Sequence, residues 1–280
     1  GYVEYSKTFR LNREICQIID EADLAIQNYQ WDLAQVILDS IATSGEDILY
    51  CGDDSAGELG DILHYCFQKW HELSSDELLP EGKKSELFEL SLTHFAEGCL
   101  KGFDWWWDWI QMAIQLADDE EKQGRIIQEL DKVINIKGDE WGINYNRQVA
   151  QRHKLEIMSK RGTSEEQFKF MYENVSNPDF RRRLLQMAWD RGDYKEVLRL
   201  AVDGATHDSD YAGLVNDWHK WELKVYLQTH DHAGSLRLYQ YFLFNGGSFG
   251  EEEYSMENIY GQMKSIVLED EWNDFVETLI

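Results

Sequence analysis

The side chains able to do chemistry in this 280-residue chain are 8 histidines, 4 cysteines and 53 carboxylates, and their spacing decides how few of them qualify. The histidines are His64, His71, His94, His153, His207, His219, His230 and His232, and they form neither a His-x-x-x-His nor a His-Glu-x-x-His pattern. His64 and Cys66, two apart on one helix, point to nearly opposite faces and cannot share a metal. The cysteines Cys16, Cys51, Cys66 and Cys99 lie 35, 15 and 33 positions apart, with no Cys-x-x-Cys pair. Zinc ligands ordinarily come in pairs a few residues apart, so no zinc site is expected. The segment Gly52-Asp-Asp-Ser-Ala-Gly-Glu58 has the look of a calcium loop. Counted from Asp53, however, its sixth and twelfth positions are Glu58 and His64, where an EF-hand needs glycine and glutamate. It reads instead as a turn feeding a helix. No nucleophile elbow, phosphate loop or dinucleotide fingerprint is present, and no cofactor, metal or catalytic residue is expected.

Trp105-Trp106-Trp107-Asp108-Trp109 is the densest aromatic run. On a helix, Trp105, Trp109, Met112 and Leu116 form one stripe, and Trp106, Ile110, Ala113 and Ala117 form its neighbour, together a wide buried face. Trp107 falls on the polar side with Asp108 and Gln111. Trp107 and Asp108 are therefore the candidate contact residues for a partner.

The elements that carry these residues are helices. Apolar residues recur at steps of three and four in Leu59, Ile62, Leu63, Cys66, Phe67 and Trp70, in Phe88, Leu92, Phe95 and Cys99, and in Leu214, Trp218, Trp221 and Val225. Cys66 and Cys99 thus read as buried thiols. There are only 2 prolines to interrupt helices. Ser55-x-x-Glu58 and Thr163-x-x-Glu166 read as capping boxes, and Asn177-Pro178 as a cap followed by a first-turn proline. Breaks are expected at Ser44-Gly45, Gly52, Gly138, Gly192, Gly204 and Gly246-Gly247, giving roughly a dozen helices in antiparallel hairpins. A weak repeat runs through them. Ala188 to Tyr194 leads into Val197, Leu198 and Leu200, and 38 residues later Tyr226 to His232 leads into Leu236 and Leu238. Ala25 to Leu38, turning at Tyr29-Gln30-Trp31, is a looser third copy. The expected fold is all-α, an irregular α-solenoid, tetratricopeptide-like in its C-terminal half. Two closely packed lobes, 1–140 and 141–280, or one domain spanning both, are expected.

Charge narrows the partners. The net charge is -26, with 30 acidic and 11 basic residues in 1–140 against 23 and 16 in 141–280. Phosphate backbones and anionic membranes call for the opposite sign, so neither nucleic acid nor membrane is an expected partner. The one basic cluster, Arg181-Arg182-Arg183, reads as a solvated helix face. No signal peptide and no apolar run of about 18 residues is seen, and cysteines without pairing suit the reducing cytoplasm.

Several short motifs follow one another in a definite order. Tyr2-Val-Glu-Tyr5 and a long helix precede Gly52-Asp-Asp-Ser-Ala-Gly-Glu-Leu-Gly60; then come Trp107-Asp108, Asn177-Pro178-Asp179-Phe180 and Gly192-Asp193-Tyr194 with Leu198 and Ala201. Gly213-Leu214-Val215 with Trp218 and Trp221 follows, and Glu271-Trp272-Asn-Asp-Phe275 closes the order. This order resembles the region that follows the zinc finger in bacterial SWIM zinc-finger proteins. That family's Cys-x-Cys and Cys-x-His ligand pairs do not occur here. The resemblance implies a helical scaffold attached to a finger elsewhere, with none of the finger's metal chemistry in this chain. The expectation is a non-catalytic helical-repeat module that binds a protein partner bearing basic residues. The competing expectations are a hydrolase using paired carboxylates in an aromatic-lined cleft, and a nucleic-acid-associated module.

Overall fold

The computed structural model describes residues 5–52, 54–245 and 255–277. Among them it contains fifteen α-helices and no β-strand, with an isolated bridge between Lys101 and Phe103. The motif residues Tyr2 to Glu4, Asp53 and the Gly246-Gly247 break lie outside the described residues. The chain forms two compact units, 1–160 and 161–280. The first holds α1 (Tyr5–Gln27), α2 (Trp31–Thr43), α3 (Gly45–Tyr50), α4 (Glu58–Ser74), α5 (Glu81–Glu97), α6 (Trp105–Leu116), α7 (Glu120–Ile134) and α8 (Trp141–Arg161). The boundary thus falls past the 140 read from charge. Val149, Ala150 and Ile157 of α8 belong to the same apolar core as α4 and α6, and burial rather than charge sets the division. Within that core α1 packs on α2 and α4, and α5 on α6.

The second unit holds α9 (Ser164–Glu173), α10 (Pro178–Asp190), α11 (Tyr194–His207), α12 (Ala212–Gln228), α13 (His232–Asn245), α14 (Met256–Ile266) and α15 (Trp272–Glu277). Neighbours in sequence pack as neighbours in space: α10 on α11, α11 on α12, and α12 on α13.

Local signals act where the backbone needs them. Thr163 and Glu166 make the reciprocal capping box, and Asn177 caps α10 ahead of Pro178. Ser55 does not take the N-cap place of α4. Gly57 takes the N-cap place of α4 at φ 80°, and the Asp54 carboxylate accepts the Leu59 N–H at 2.7 Å and the Gly60 N–H at 3.2 Å. An aspartate one turn upstream does the capping that the serine pattern suggested.

The three repeat copies turn in the same way. Tyr29, Gly192 and His230 each hold a left-handed φ, of 58°, 71° and 57°. In each, the next residue's N–H reaches back five positions: Gln30 to Ala25, Asp193 to Ala188 and Asp231 to Tyr226, at 2.8, 3.0 and 2.8 Å. This is the Schellman pattern closing one helix, and a new helix starts two residues after the left-handed position. The residues three past each helix start, Ala34, Val197 and Ser235, are all buried. The shared turn dictates the shared inward face.

Two sequence expectations are corrected in the second unit. Gly204 does not break a helix. It lies inside α11, where a Cβ would come within 2.8 Å of Arg181 Cδ and 3.0 Å of the Trp218 ring. It is the close-approach point of α11 and α12. Arg181 is not solvated either. It is 3% exposed, its Nη1 donates to the Leu200 carbonyl at 2.8 Å, and its guanidinium lies over Trp218. Burial pulls its pKa below the ordinary arginine value. Arg182 pairs with Asp179 and Asp217.

Candidate functional site

Of the two candidate contact residues, the fold keeps one at the surface. Trp107 is 5% exposed, stacked at 5.7 Å on His153 of α8 and tilted against Phe95 of α5. A helical wheel of α6 puts Trp107 on the polar side, but α8 covers that side. Trp105, read as core, is half-buried instead, and Asp108 beside it is half-buried. The remaining tryptophans of the run form the core as expected: Trp106 stacks on Phe95 at 4.7 Å, and Trp109 meets Phe67 and Trp70 edge-on. Of the two thiols read as buried, Cys66 is fully so. Cys99 is half-buried, and that burial pushes its pKa up to about 11.

Asp108 lies in a groove built by three helices of the first unit. One depression of about 650 Å³ is lined by His64, Phe67, Gln68, His71, Glu72, Ser75, Trp105 and Asp108. A second, of about 370 Å³, adjoins it through His71 and is lined by Gln111, Ile114, Gln115, His153, Glu156 and Lys160. Helical periodicity explains the arrangement. His64, Gln68, His71 and Ser75 are spaced four, three and four along α4 and its end, on the side away from the core stripe. Trp105, Asp108, Gln111 and Gln115, spaced three, three and four, line the α6 side, and His153, Glu156 and Lys160 form the α8 wall. At 1.5 Å rise per residue, the α4 wall alone runs about 16 Å.

The groove's polar groups hold one another in place. His71 Nε2 and Asp108 Oδ1 are 2.8 Å apart, with both side chains partly open to solvent. The Ser75 hydroxyl donates to the backbone carbonyl of His71, and Gln115 Nε2 donates to that hydroxyl. Ser75 therefore does not point its proton at the imidazole, and the Ser-His-Asp arrangement that nucleophilic catalysis needs is not made here. Glu72 is engaged by Lys69 at 2.7 Å and by Gln68 at 3.2 Å. At the α8 wall, His153, followed by Lys160, holds the Glu156 carboxyl below the usual range. Three carboxylates face one lysine around the two depressions. Among the described residues, no three of His, Cys, Asp and Glu are gathered as a metal-holding group, and no helix is long and apolar enough to cross a membrane.

Sequence reading found Asp108 and missed the rest of the groove. His71 and His153 were visible only as histidines outside any metal spacing. The signal that identifies them is the polar stripe of α4 facing the polar stripe of α6, which needs the pairing of the helices to be known. Compared with family models, curated proteins and solved structures, the chain matches none.

Proposed function

We propose that this chain is a non-catalytic helical scaffold that holds a protein partner, and that the α4–α6–α8 groove receives a segment of that partner carrying lysine or arginine. The observation that carries the reading is the groove itself: an open, elongated, partly apolar channel whose walls end in Asp108, Glu72 and Glu156. A long side chain with a cationic head can lay its stem along Trp105 and its charge beside Asp108. The surrounding charge of -26 speeds the approach of such a partner and disfavours acidic ones. The fold class is read further as stacked tetratricopeptide-like hairpins, on the support of the three equivalent turns. Stacks of this kind present extended surfaces for peptides. In keeping with the motif order, the scaffold is placed beside a SWIM zinc finger in a longer protein of the cytoplasm.

A hydrolytic reading has one observation behind it, Asp108 and Glu72 flanking His71 in the larger depression. Glu72 is held by Lys69 at 2.7 Å, so only Asp108 is left to face a ligand and the carboxylate pair that such hydrolysis uses is not offered there.

The test is selection from a random peptide display library against the full chain, with Gln111→Trp as the counter-selection that fills the groove. Enriched peptides rich in arginine and lysine, lost on Q111W and weakened by salt, are expected. Acidic or charge-indifferent peptides that bind Q111W equally well would overturn the reading.

A further inference from the structure

The second unit holds an ammonium between two indoles. Lys224 Nζ of α12 lies 4.1 Å from the ring centroid of Trp189 of α10 and 4.5 Å from that of Trp221, one turn back on α12. The two indoles are 6.4 Å apart and inclined at 63°, and Tyr194, the first residue of α11, adds a third ring 5.2 Å from Trp189. All three rings are half-buried, and the Lys224 side chain is exposed.

From this geometry we infer that Trp189 and Trp221, with Tyr194 packed against Trp189, form a binding site for a trimethylammonium group, with Lys224 as its resident, displaceable occupant. Ring faces attract a cation through their quadrupole and offer it no hydrogen-bond acceptor. A lysine ammonium is a compact, strongly hydrated charge with three donors, so it gives up much of its hydration to lie there. A trimethylammonium group has no N–H to satisfy and keeps its full charge, so the same rings suit it better. The site lies within the swing of an exposed four-carbon stem, and rotation of Lys224 into water vacates it without moving the backbone. The acidic body of the protein favours the cationic guest over any neutral one. Choline and trimethyllysine both supply the group.

The test uses the full chain and observes the methyl singlet of choline, and of a short peptide containing trimethyllysine, by NMR. Ring currents shift that singlet upfield on binding. Lys224→Ala removes the resident occupant and is expected to tighten both guests about tenfold, in line with an aromatic–cation contact partly withdrawn from water. Lys220→Ala removes the same charge one turn away without vacating the rings, and is expected to change binding less than about twofold, because a charge that does not occupy the rings acts on the guest only at a distance. A neutral carbon isostere of choline, 3,3-dimethylbutanol, is expected to bind at least tenfold more weakly than choline to K224A, again from the cation term. Tighter binding of the peptide than of choline assigns the guest to a protein, and equal binding assigns it to a small molecule. The proposal is overturned if K224A binds no better than the native chain, if K220A matches K224A, or if the neutral isostere binds as well as the cation.

Discussion

Replacing Gly204 by alanine sets two effects of known size against each other. Alanine in a helix interior is favoured over glycine by about 1 kcal/mol, because it restricts the unfolded chain. The new methyl would lie 2.8 Å from Arg181 Cδ and 3.0 Å from the ring atoms of Trp218. Neither neighbour can yield easily. Trp218 is fully buried, and its Nε1 donates at 2.7 Å to the buried Asp208; the Arg181 guanidinium is pinned to the Leu200 carbonyl. Overpacking of this kind costs about 1–3 kcal/mol. Straining the Trp218–Asp208 bond puts a charge-assisted hydrogen bond worth about 1.5–3 kcal/mol at risk. The clash therefore wins, and Gly204→Ala is expected to destabilise by about 1–2 kcal/mol net of propensity. Hydrogen exchange read by mass spectrometry on peptides from α11 and α12 resolves this locally, and should run about 5–30 times faster in the variant. Gly261→Ala in α14, where a new Cβ meets nothing within 4 Å, is the control and should slow exchange around α14. Slower exchange in α11 on G204A would refute the close-approach reading.

Thr163→Ala removes the hydroxyl that accepts the Glu166 N–H at 3.2 Å, and should lower stability by about 1 kcal/mol in equilibrium denaturation, with Thr163→Ser largely restoring it. Glu196 is held below the ordinary carboxylate range by Arg199 first and then by Tyr172. Its contribution is in place above about pH 4.3, the unfolded carboxylate value, and is lost as falling pH passes through the lower folded value. The stability gap between the native chain and Glu196→Gln should therefore be constant near neutrality and close on acidification; a gap that does not change with pH would refute the assignment.

The chain's local rules were legible because they are local. Thr163-Ser-Glu-Glu166 caps a helix with its own side chains, and Gly192 and His230 take the left-handed place by their position in a turn. What escaped depends on neighbours far along the chain. Trp107 faces away from the core of α6's own stripe, and Phe95 of α5 together with His153 of α8, distant in sequence, buries it. Arg181 carries a charge that sequence assigns to water, yet the ring of Trp218 and the Leu200 carbonyl make a place for it inside. Gly204 has the composition of a break and the role of a contact. The groove was legible at one residue, Asp108, because one helix shows one wall. His71 and Glu156 join it only through helix pairings that no single periodicity encodes.

Photocrosslinking tests the central claim most directly. A benzoylphenylalanine at position 64, an exposed position on the groove's α4 side, is exposed to a library-selected basic peptide, with position 21 on the exposed side of α1 as the reference. The account predicts a crosslink from 64 and not from 21, diminished by added salt and by Asp108→Asn. A crosslink from 21 alone, or one from 64 indifferent to salt and to the loss of the Asp108 charge, would contradict it.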